Sequence, residues 1–278
     1  MQKVKNVLKG VFFNYFDHSV AKNAAALAYY LLFALFPLMI FFSNLLGTLD
    51  LNVFAITKAL DRFLPDAVVE VTESYLQYVS LNSSRVLMWF SLVFSVWFPM
   101  RAVKGLMDDV RRAYNLPAPK KPIRYIVKQL IFTVVFLVVI VLTLLLATVG
   151  ERLLLYLDKV LPENIFRLSD YFINLWQYLR FGVIAFLMLC ATGILYLASL
   201  DEKRPVKTVL PGIFTALVLW IVLSVGFSFY VENFANYSLI YGTLGAIIIL
   251  LIWLYMTAVI LIMGAELNVT IERIKAAR

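Results

Sequence analysis

The chain has 278 residues, of which 63% are hydrophobic and 15% are charged, whereas a soluble domain is about half apolar and about a quarter charged. This balance excludes an ordinary soluble domain and predicts a membrane protein with several transmembrane segments. The net charge is +8, and the single cysteine, Cys190, excludes an intramolecular disulfide and a cysteine-based metal site.

Residues 1–20 predict a helix lying in the membrane interface rather than a removed signal peptide. They contain no uninterrupted apolar core and no small-residue cleavage site. Apolar residues recur there at helical spacing, with the lysines mostly on the other side: Val4, Leu8, Val11, Phe12, Tyr15 and Phe16. His18, at the end of this segment, is predicted to be a solvated surface residue.

Six stretches are long and apolar enough to cross a bilayer core of about 30 Å, which needs about 20 residues of helix. They are residues 24–47, 86–106, 125–149, 179–200, 208–231 and 240–267. The second is the weakest, because Arg101 and Lys104 must snorkel to the interface for it to span. We therefore predict an all-α integral membrane protein that forms one domain over residues 1–278, with short amphipathic helices in its outer loops.

Lysine and arginine are distributed unevenly between the two sides of this arrangement. The side that carries both termini holds eighteen of these residues, and the other side holds seven. Because cytoplasmic loops are enriched in lysine and arginine, we expect both termini to be cytoplasmic. Topology then explains the net charge without a nucleic-acid partner, and no specific nucleic acid is predicted.

Polar residues in the apolar segments recur at helical spacing and form stripes on three spans. The stripes consist of Asn23, Tyr30, Pro37 and Asn44; of Trp220, Ser224, Ser228 and Glu232; and of Tyr241, Ile248, Tyr255 and Glu266. One interpretation is close helix packing and interfacial anchoring, with structural roles for Pro37, Pro211, Gly242, Gly245 and Gly264. The other is a substrate cleft lined by Asn23, Tyr30, Asn44, Ser224, Ser228, Tyr241, Tyr255 and Glu266.

Glu266 is the most unusual of these residues, because it lies within "IMGAELN" (262–268) at the end of a long apolar run. An anion near a helix C-terminus is disfavoured by the helix dipole, so a compensating cation is expected. The candidates on the same side of the membrane are Lys22, Arg101, Lys104 and Arg204. Three roles stay open: a structural ion pair, a carboxylate linked to proton or substrate movement, and a solvated helix end.

Asp108 and Asp109 are the strongest metal candidates, yet their surroundings favour another interpretation. Lys104, Arg111 and Arg112 stand three or four residues away, the spacing of a salt-bridged exposed helix. We find no phosphate-binding glycine loop and no zinc-protease motif. No metal, no cofactor and no catalytic residue are therefore predicted.

Three segments carry a family resemblance: "NAAALAYYLLFALFPLMIFF" (23–42), "LPGIFTALVLWIVLSVGFSFYV" (210–231) and "YGTLGAIIILLIWLYMTAVILIMGAELN" (241–268). The chain resembles the YihY/virulence factor BrkB family of bacterial inner-membrane proteins, over nearly its whole length. The resemblance implies six spans and a location in the inner membrane. Members were once labelled ribonuclease BN, and others are linked to serum resistance and envelope properties.

Two functions of different classes follow from these observations. The first is a transporter or lipid translocator of the cell envelope, with membrane lipids as partners and anionic head groups attracted to the basic cytoplasmic face. The second is a non-transporting scaffold for envelope-assembly partners. A ribonuclease is disfavoured, because phosphodiester hydrolysis needs a metal-binding cluster or an acid/base pair. A homo-oligomer is compatible with either function.

Overall fold

The computed structural model of the chain describes residues 2–48, 84–119, 121–148, 170–200, 204–234 and 243–276. Within these ranges the chain forms seven α-helices, one 3-10 turn (Val206–Thr208) and no β-strand. The helices are α1 (Gln2–Asp17), α2 (Val20–Thr48), α3 (Arg85–Ala113), α4 (Pro122–Thr148), α5 (Asp170–Ser199), α6 (Leu210–Phe234) and α7 (Thr243–Ala276). The helices α2 to α7 are long and apolar enough to cross a membrane, so the prediction of an all-α integral membrane protein is confirmed.

α5 begins at Asp170, nine residues before its predicted span and within a stretch predicted to belong to an outer loop. Two other helices extend furthest beyond the C-terminal ends of their predicted spans. α3 continues from residue 106 to Ala113, and α7 continues from residue 267 to Ala276. The added turns carry charged side chains that have partners within the protein: Arg112 pairs with Asp109, and Arg273 donates to the Ala113 carbonyl at 3.2 Å. Apolar length predicts the part of a helix that crosses the bilayer core, whereas paired charges allow the helix to continue beyond it.

Left-handed residues end two of the helices. Ser19 (φ 51°) separates α1 from α2, and Asn115 (φ 51°) follows α3. The Asn115 N–H donates to the Arg112 carbonyl, as expected where a left-handed residue closes the last turn of a helix. The turn at Ser19 is short enough that the Asn23 side chain donates to the His18 carbonyl at 3.1 Å.

The chain divides into two compact units, and residues 1–28 together with 102–278 form the first. In this unit α7 packs against α6 and α1, and α5 packs against α4 and α6. Its buried apolar core includes Ala24, Leu27, Met107, Val110, Tyr196, Ile213 and Ile262.

Residues 29–101 form the second unit, from α2 and the first part of α3. Aromatic rings join the two helices, with 5.9 Å between the ring centroids of Phe33 and Phe98. The Asn44 side chain donates to the Ile40 carbonyl at 2.8 Å and accepts from the Ser84 N–H at 3.2 Å. Asn44 therefore supplies a partner to a backbone N–H just before α3.

α6 and α7 approach each other closely at two glycines. A Cβ atom on Gly212 would lie 1.9 Å from the Gly264 carbonyl oxygen, so only glycine fits there. Asn268 accepts from the Gly212 N–H at 2.6 Å and donates to the Val209 carbonyl at 3.0 Å. The first N–H groups of a helix have no partner within it, so Asn268 caps α6 from the neighbouring helix.

The residues with predicted structural roles occupy ordinary positions. Pro211 lies in the first turn of α6, where its missing N–H removes no helical hydrogen bond. Pro37 lies inside α2, which continues through it, and both Gly245 and Gly264 are buried. Gly242 lies outside the described residues.

Large apolar side chains on the candidate spans remain exposed in the protein alone. Val138 on α4 is 50% exposed, and Val222 and Val225 on α6 are 63% and 67% exposed. Soluble monomers rarely expose apolar surface over such an extent. These faces are the ones that contact lipid tails in a bilayer.

Candidate functional site

A group of polar side chains is buried where α1, α2, α3 and α7 meet in the first unit. We call it the buried polar cluster, and it comprises Asn14, His18, Asn23, Asp109, Glu266 and Thr270. Four of its members are at most 7% exposed: Asn14, Asp109, Glu266 and Thr270. Polar and ionisable groups in such a position are costly in a membrane protein and usually have a function.

Glu266 stands at the centre of this cluster and is fully buried. His18 Nδ1 lies 2.6 Å from Glu266 Oε1, and the Asn14 amide donates to Glu266 Oε2 at 2.9 Å. The Asn14 amide also reaches Thr270 Oγ1 at 3.3 Å, and the Thr270 hydroxyl donates to the Glu266 carbonyl at 2.8 Å. Both carboxylate oxygens of Glu266 therefore have partners on α1 or directly after it.

The other ring nitrogen of His18 faces a second carboxylate. His18 Nε2 lies 3.7 Å from Asp17 Oδ2, and the Asp17 side chain is 59% exposed. The imidazole therefore stands between an exposed carboxylate and a buried one. Since imidazole can hold a proton on either nitrogen, this arrangement can pass a proton between solvent and Glu266.

Asp109 forms the second acidic part of the cluster. Asn23 donates to Asp109 Oδ1 at 2.8 Å and also donates to the His18 carbonyl, so it links α3 to the α1–α2 turn. Arg112, one turn further along α3, lies 3.2 Å from the same oxygen. Burial of a charge costs several kcal/mol unless the charge is paired and hydrogen-bonded, and these contacts supply that compensation.

Small residues allow α1 to approach α7 closely at this point. A Cβ atom on Gly10 would lie 2.8 Å from Thr270 Cγ2. Gly10, Asn14 and His18 follow one another at intervals of four, so they lie on one side of the chain as it meets α7. The polar face of α1 is therefore directed at α7, while Phe12 and Phe16 stay more than 60% exposed.

The structure corrects three expectations from the sequence. His18 was expected to be solvated, but its side chain is 14% exposed and bound to Glu266. Glu266 was expected to pair with a lysine or an arginine, but its partners are His18 and Asn14. Asp109 was expected on an exposed helix face, but it is 5% exposed, although its predicted pairing with Arg112 is present.

Arg204, one of the predicted partners of Glu266, forms an ion pair with a different carboxylate. It pairs with Glu272, and its guanidinium lies 5.1 Å from the centre of the Tyr114 ring. Burial, with a smaller contribution from the Glu272 carboxylate, raises the pKa of Tyr114 to about 12. Glu272 is 43% exposed, whereas Glu266 on the same helix is buried.

The remaining cleft candidates are placed in different parts of the chain. Tyr30 and Asn44 belong to the second unit, whereas Ser224, Ser228 and Tyr255 belong to the first. Ser228 is exposed, and the Tyr255 side chain lies within hydrogen-bonding reach of Tyr15 on α1. Tyr241 lies outside the described residues. The cleft that these residues were predicted to line stays a prediction.

Sequence reasoning missed Asn14, Thr270 and the burial of Asp109. One signal was present: Asn14 and His18 are four residues apart, so they share one face of the predicted interfacial helix. No comparable signal marks Asp109, because its flanking charges are those of an exposed helix. Over the described ranges, His, Cys, Asp and Glu side chains form no group of three or more that could hold a metal ion.

The pairing of His18 with Glu266 predicts energetic coupling between the two. His18→Ala should lower the free energy of unfolding by about 2–3 kcal/mol, because it leaves one oxygen of a buried carboxylate without its partner. In a Glu266→Gln background the same change should cost about 1–2 kcal/mol less. Unfolding by SDS in mixed micelles measures both.

The control for this cycle is Asp17→Asn, which removes an exposed carboxylate near the same ring. It should change the free energy of unfolding by less than about 0.5 kcal/mol. If the effects of His18→Ala and Glu266→Gln simply add, the two side chains are not coupled and the assigned contact is wrong.

Comparison with known proteins agrees with the family resemblance of the sequence. The family model described as "Virulence factor BrkB" matches residues 11–278. The chain is 29% identical over 268 residues to the putative ribonuclease-like protein YfkH of Bacillus subtilis, with 96% of each chain covered. No solved structure matches the chain.

Membrane proteins of the group UPF0761 are also similar. One from Xanthomonas campestris pv. campestris (strain B100) is 27% identical over 264 residues, which cover 91% of this chain and 57% of the relative. One from Pseudoalteromonas atlantica is 36% identical over 83 residues, which cover 30% of this chain and 28% of the relative. The chain thus spans just over half the length of the Xanthomonas relative.

Proposed function

Because the chain belongs to the virulence factor BrkB family and is a multi-pass membrane protein, we propose that it is a transporter or lipid translocator of the bacterial inner membrane. In this proposal Glu266 exchanges a proton through His18 as substrate moves. The main observation in support is that three side chains follow one another in space: the exposed carboxylate of Asp17, the imidazole of His18 and the fully buried carboxylate of Glu266.

The surroundings of Glu266 favour exchange over a purely structural role. A structural anion is best served by a permanent cation such as arginine, which cannot lose its proton in a protein. The side chains that contact the Glu266 carboxylate are instead His18 and Asn14, and an imidazole can take up or release a proton at either ring nitrogen. Arg273, further along α7, also favours the charged form of Glu266, but His18 has the larger effect on this carboxylate.

An apolar groove beside the cluster supports a lipid or another amphipathic substrate. The groove has a volume of about 540 Å³ and lies between α1 and α7, lined by Leu8, Val11, Phe12, Tyr15, Phe16 and Met263. Exposed Lys5 and Lys9 stand on the same helix. Apolar walls suit an acyl chain, and nearby lysines suit an anionic head group.

Reconstitution into liposomes tests this proposal. Purified protein in vesicles of defined lipid composition should accelerate the exchange of fluorescent phospholipids between leaflets, or the entry of at least one member of a panel of small anions. Protein-free vesicles provide the baseline. Vesicles that contain folded protein and match this baseline for every probe at pH 6 to 8 would favour the scaffold instead.

The word "ribonuclease" in the name of the Bacillus relative leads to a separate prediction. We expect purified protein to leave transfer RNA intact with any divalent metal, because Asp108, the acidic neighbour of Asp109, accepts a hydrogen bond from Tyr125 at 2.7 Å as a structural contact. Gel analysis of labelled transfer RNA measures this. Reproducible cleavage that Asp108→Asn abolishes would establish a nuclease.

The proposed orientation, with both termini in the cytoplasm, predicts which loops react from outside the cell. In a Cys190→Ser background, a cysteine at position 164, which lies outside the described residues, should react with an impermeant thiol reagent in intact cells. A cysteine that replaces the exposed Ala118 should not. The reverse pattern would overturn the orientation.

A further inference from the structure

Three buried polar atoms on the paired helices α6 and α7 make no hydrogen bond within the described residues. They are Trp220 Nε1 and Ser224 Oγ on α6 and Thr257 Oγ1 on α7, and none has a hydrogen-bond partner in the part of the chain that the structure describes. Buried donors without partners are costly and uncommon, so each requires an explanation. Three of them in one helix interface point to a common cause.

The two hydroxyls are unusual among those on the helices of this protein. Thr133, Ser199 and Thr270 each donate to the carbonyl four residues earlier, at 2.7 to 2.8 Å. Ser and Thr in a helix always have this local option. Ser224 and Thr257 do not use it, so their hydroxyls remain available to another partner.

The register of the two helices brings the three atoms to one stretch of the interface. α6 and α7 run antiparallel, because Gly212 meets Gly264 and the Trp220 ring lies 6.1 Å from the Trp253 ring. Trp220 on α6 and Thr257 on α7 each lie about two helical turns from the glycine contact. Ser224 on α6 and Trp253 on α7 lie about one turn further from it.

The position of this stretch restricts what can occupy it. Trp220 is ten residues beyond the start of α6, which is about 15 Å along the helix and near the middle of a bilayer core of about 30 Å. Lipid head groups at rest do not reach this depth. A polar group at this depth is therefore either crossing the bilayer or bound at a specific site.

The chemistry of the stretch selects an uncharged occupant. Residues 210–231 and 243–265 contain no charged residue, so an anion or a cation bound there would find no counter-charge along these parts of α6 and α7. The indole N–H donates, each hydroxyl can both donate and accept, and the paired tryptophan rings offer apolar surface. This combination fits groups that carry several hydroxyls on a carbon framework.

We infer that the α6–α7 interface binds the uncharged, hydroxyl-bearing part of the transported molecule, through Trp220, Ser224 and Thr257. The inference rests on the proposed transport function and adds the chemical class of the substrate. Such a group occurs in a free polyol and in a neutral glycolipid. The site is separate from Glu266, which handles the proton.

The test follows the Trp220 indole N–H by ultraviolet resonance Raman spectroscopy, whose indole bands report hydrogen bonding. The protein carries phenylalanine in place of Trp89, Trp97 and Trp176, and a Trp220→Phe version supplies the difference spectrum. It is held in phosphatidylcholine nanodiscs, to which glycerol is added or into which monoglucosyl diacylglycerol is incorporated. At least one of the two should shift the Trp220 band to its hydrogen-bonded position in a saturable manner, and the one that acts identifies a free or a lipid-borne group.

The hydroxyls are tested by Ser224→Ala combined with Thr257→Val, which removes one oxygen atom at Ser224 and replaces the Thr257 hydroxyl by a methyl group. This pair should raise the half-saturating probe concentration about tenfold, the value of one to two lost hydrogen bonds, without lowering stability. The inference is overturned if neither probe moves the band, if inorganic phosphate moves it equally, or if the band is hydrogen-bonded from the start and indifferent to every probe, as with trapped water. The Raman experiment measures binding without transport. If the band shifts but the liposomes show no transport, only the proposed function is contradicted. If the liposomes show transport but the band does not shift, only this inference is contradicted.

Discussion

Gly212→Ala is expected to prevent the protein from reaching a stable folded form. The added Cβ atom would lie 1.9 Å from the Gly264 carbonyl oxygen and 2.6 Å from Asn268 Nδ2. The first of these atoms belongs to the backbone, so no change of side-chain rotamer can relieve the overlap. α6 and α7 would have to separate, which also breaks the hydrogen bond from the Gly212 N–H to Asn268.

The expected loss is more than about 3 kcal/mol, from overpacking together with newly unpaired buried groups. The yield of monodisperse protein in mild detergent and its thermal unfolding measure this loss. Gly226→Ala on the same helix is the matched control, because a Cβ atom there meets no atom within 4 Å, and it should be neutral or slightly stabilising. Equal stability of the two variants would show that α6 and α7 do not meet at the glycines.

Glu266→Gln is expected to abolish transport while the protein still folds and inserts. The amide keeps an oxygen that can accept from His18 or Asn14, so the hydrogen bonds of the cluster are partly retained. It cannot take up or release a proton. A transport cycle that depends on proton exchange at this position should therefore fall to the level of protein-free liposomes.

Glu272→Gln provides the matched control for this loss. It removes the same charge from the same helix only six residues away, but Glu272 is 43% exposed and paired with Arg204. Transport by this variant should stay within about twofold of the parent, as expected for a change of less than about 0.5 kcal/mol at an exposed pair. If both variants lose activity equally, a general effect of charge on α7 explains the result better than Glu266 does.

The spans and the unusual character of Glu266 could be predicted from the sequence. Apolar length is a local property, so α2 to α7 were all identified, and a carboxylate in an apolar run is visible without a structure. The partner of Glu266 could not be predicted in the same way. His18 stands 248 residues earlier, and the candidate cations were selected by their side of the membrane, which does not determine a contact.

Asp109 and Asn44 show two further limits of sequence reasoning. The charges around Asp109 have the spacing of an exposed salt-bridged helix, whereas its contact with Asn23 of α2 depends on the packing of distant segments. Asn44 lies on a stripe with Asn23 at intervals of seven, which suggested a shared cleft. In the structure the Asn44 side chain donates to the Ile40 carbonyl and accepts from the Ser84 N–H. Helical phase does not reveal these backbone partners, and the shared cleft stays a prediction.

Proton movement during transport is the central claim, and liposomes loaded with a pH-sensitive dye measure it most directly. The protein is reconstituted, and an inward gradient of the probe that it carries is imposed without any initial pH difference. With the parent protein we predict a change of internal pH that begins with probe entry, and with Glu266→Gln neither the pH change nor probe entry should occur. Probe entry at the normal rate without any pH change, in the parent or in Glu266→Gln, would contradict the role assigned to Glu266.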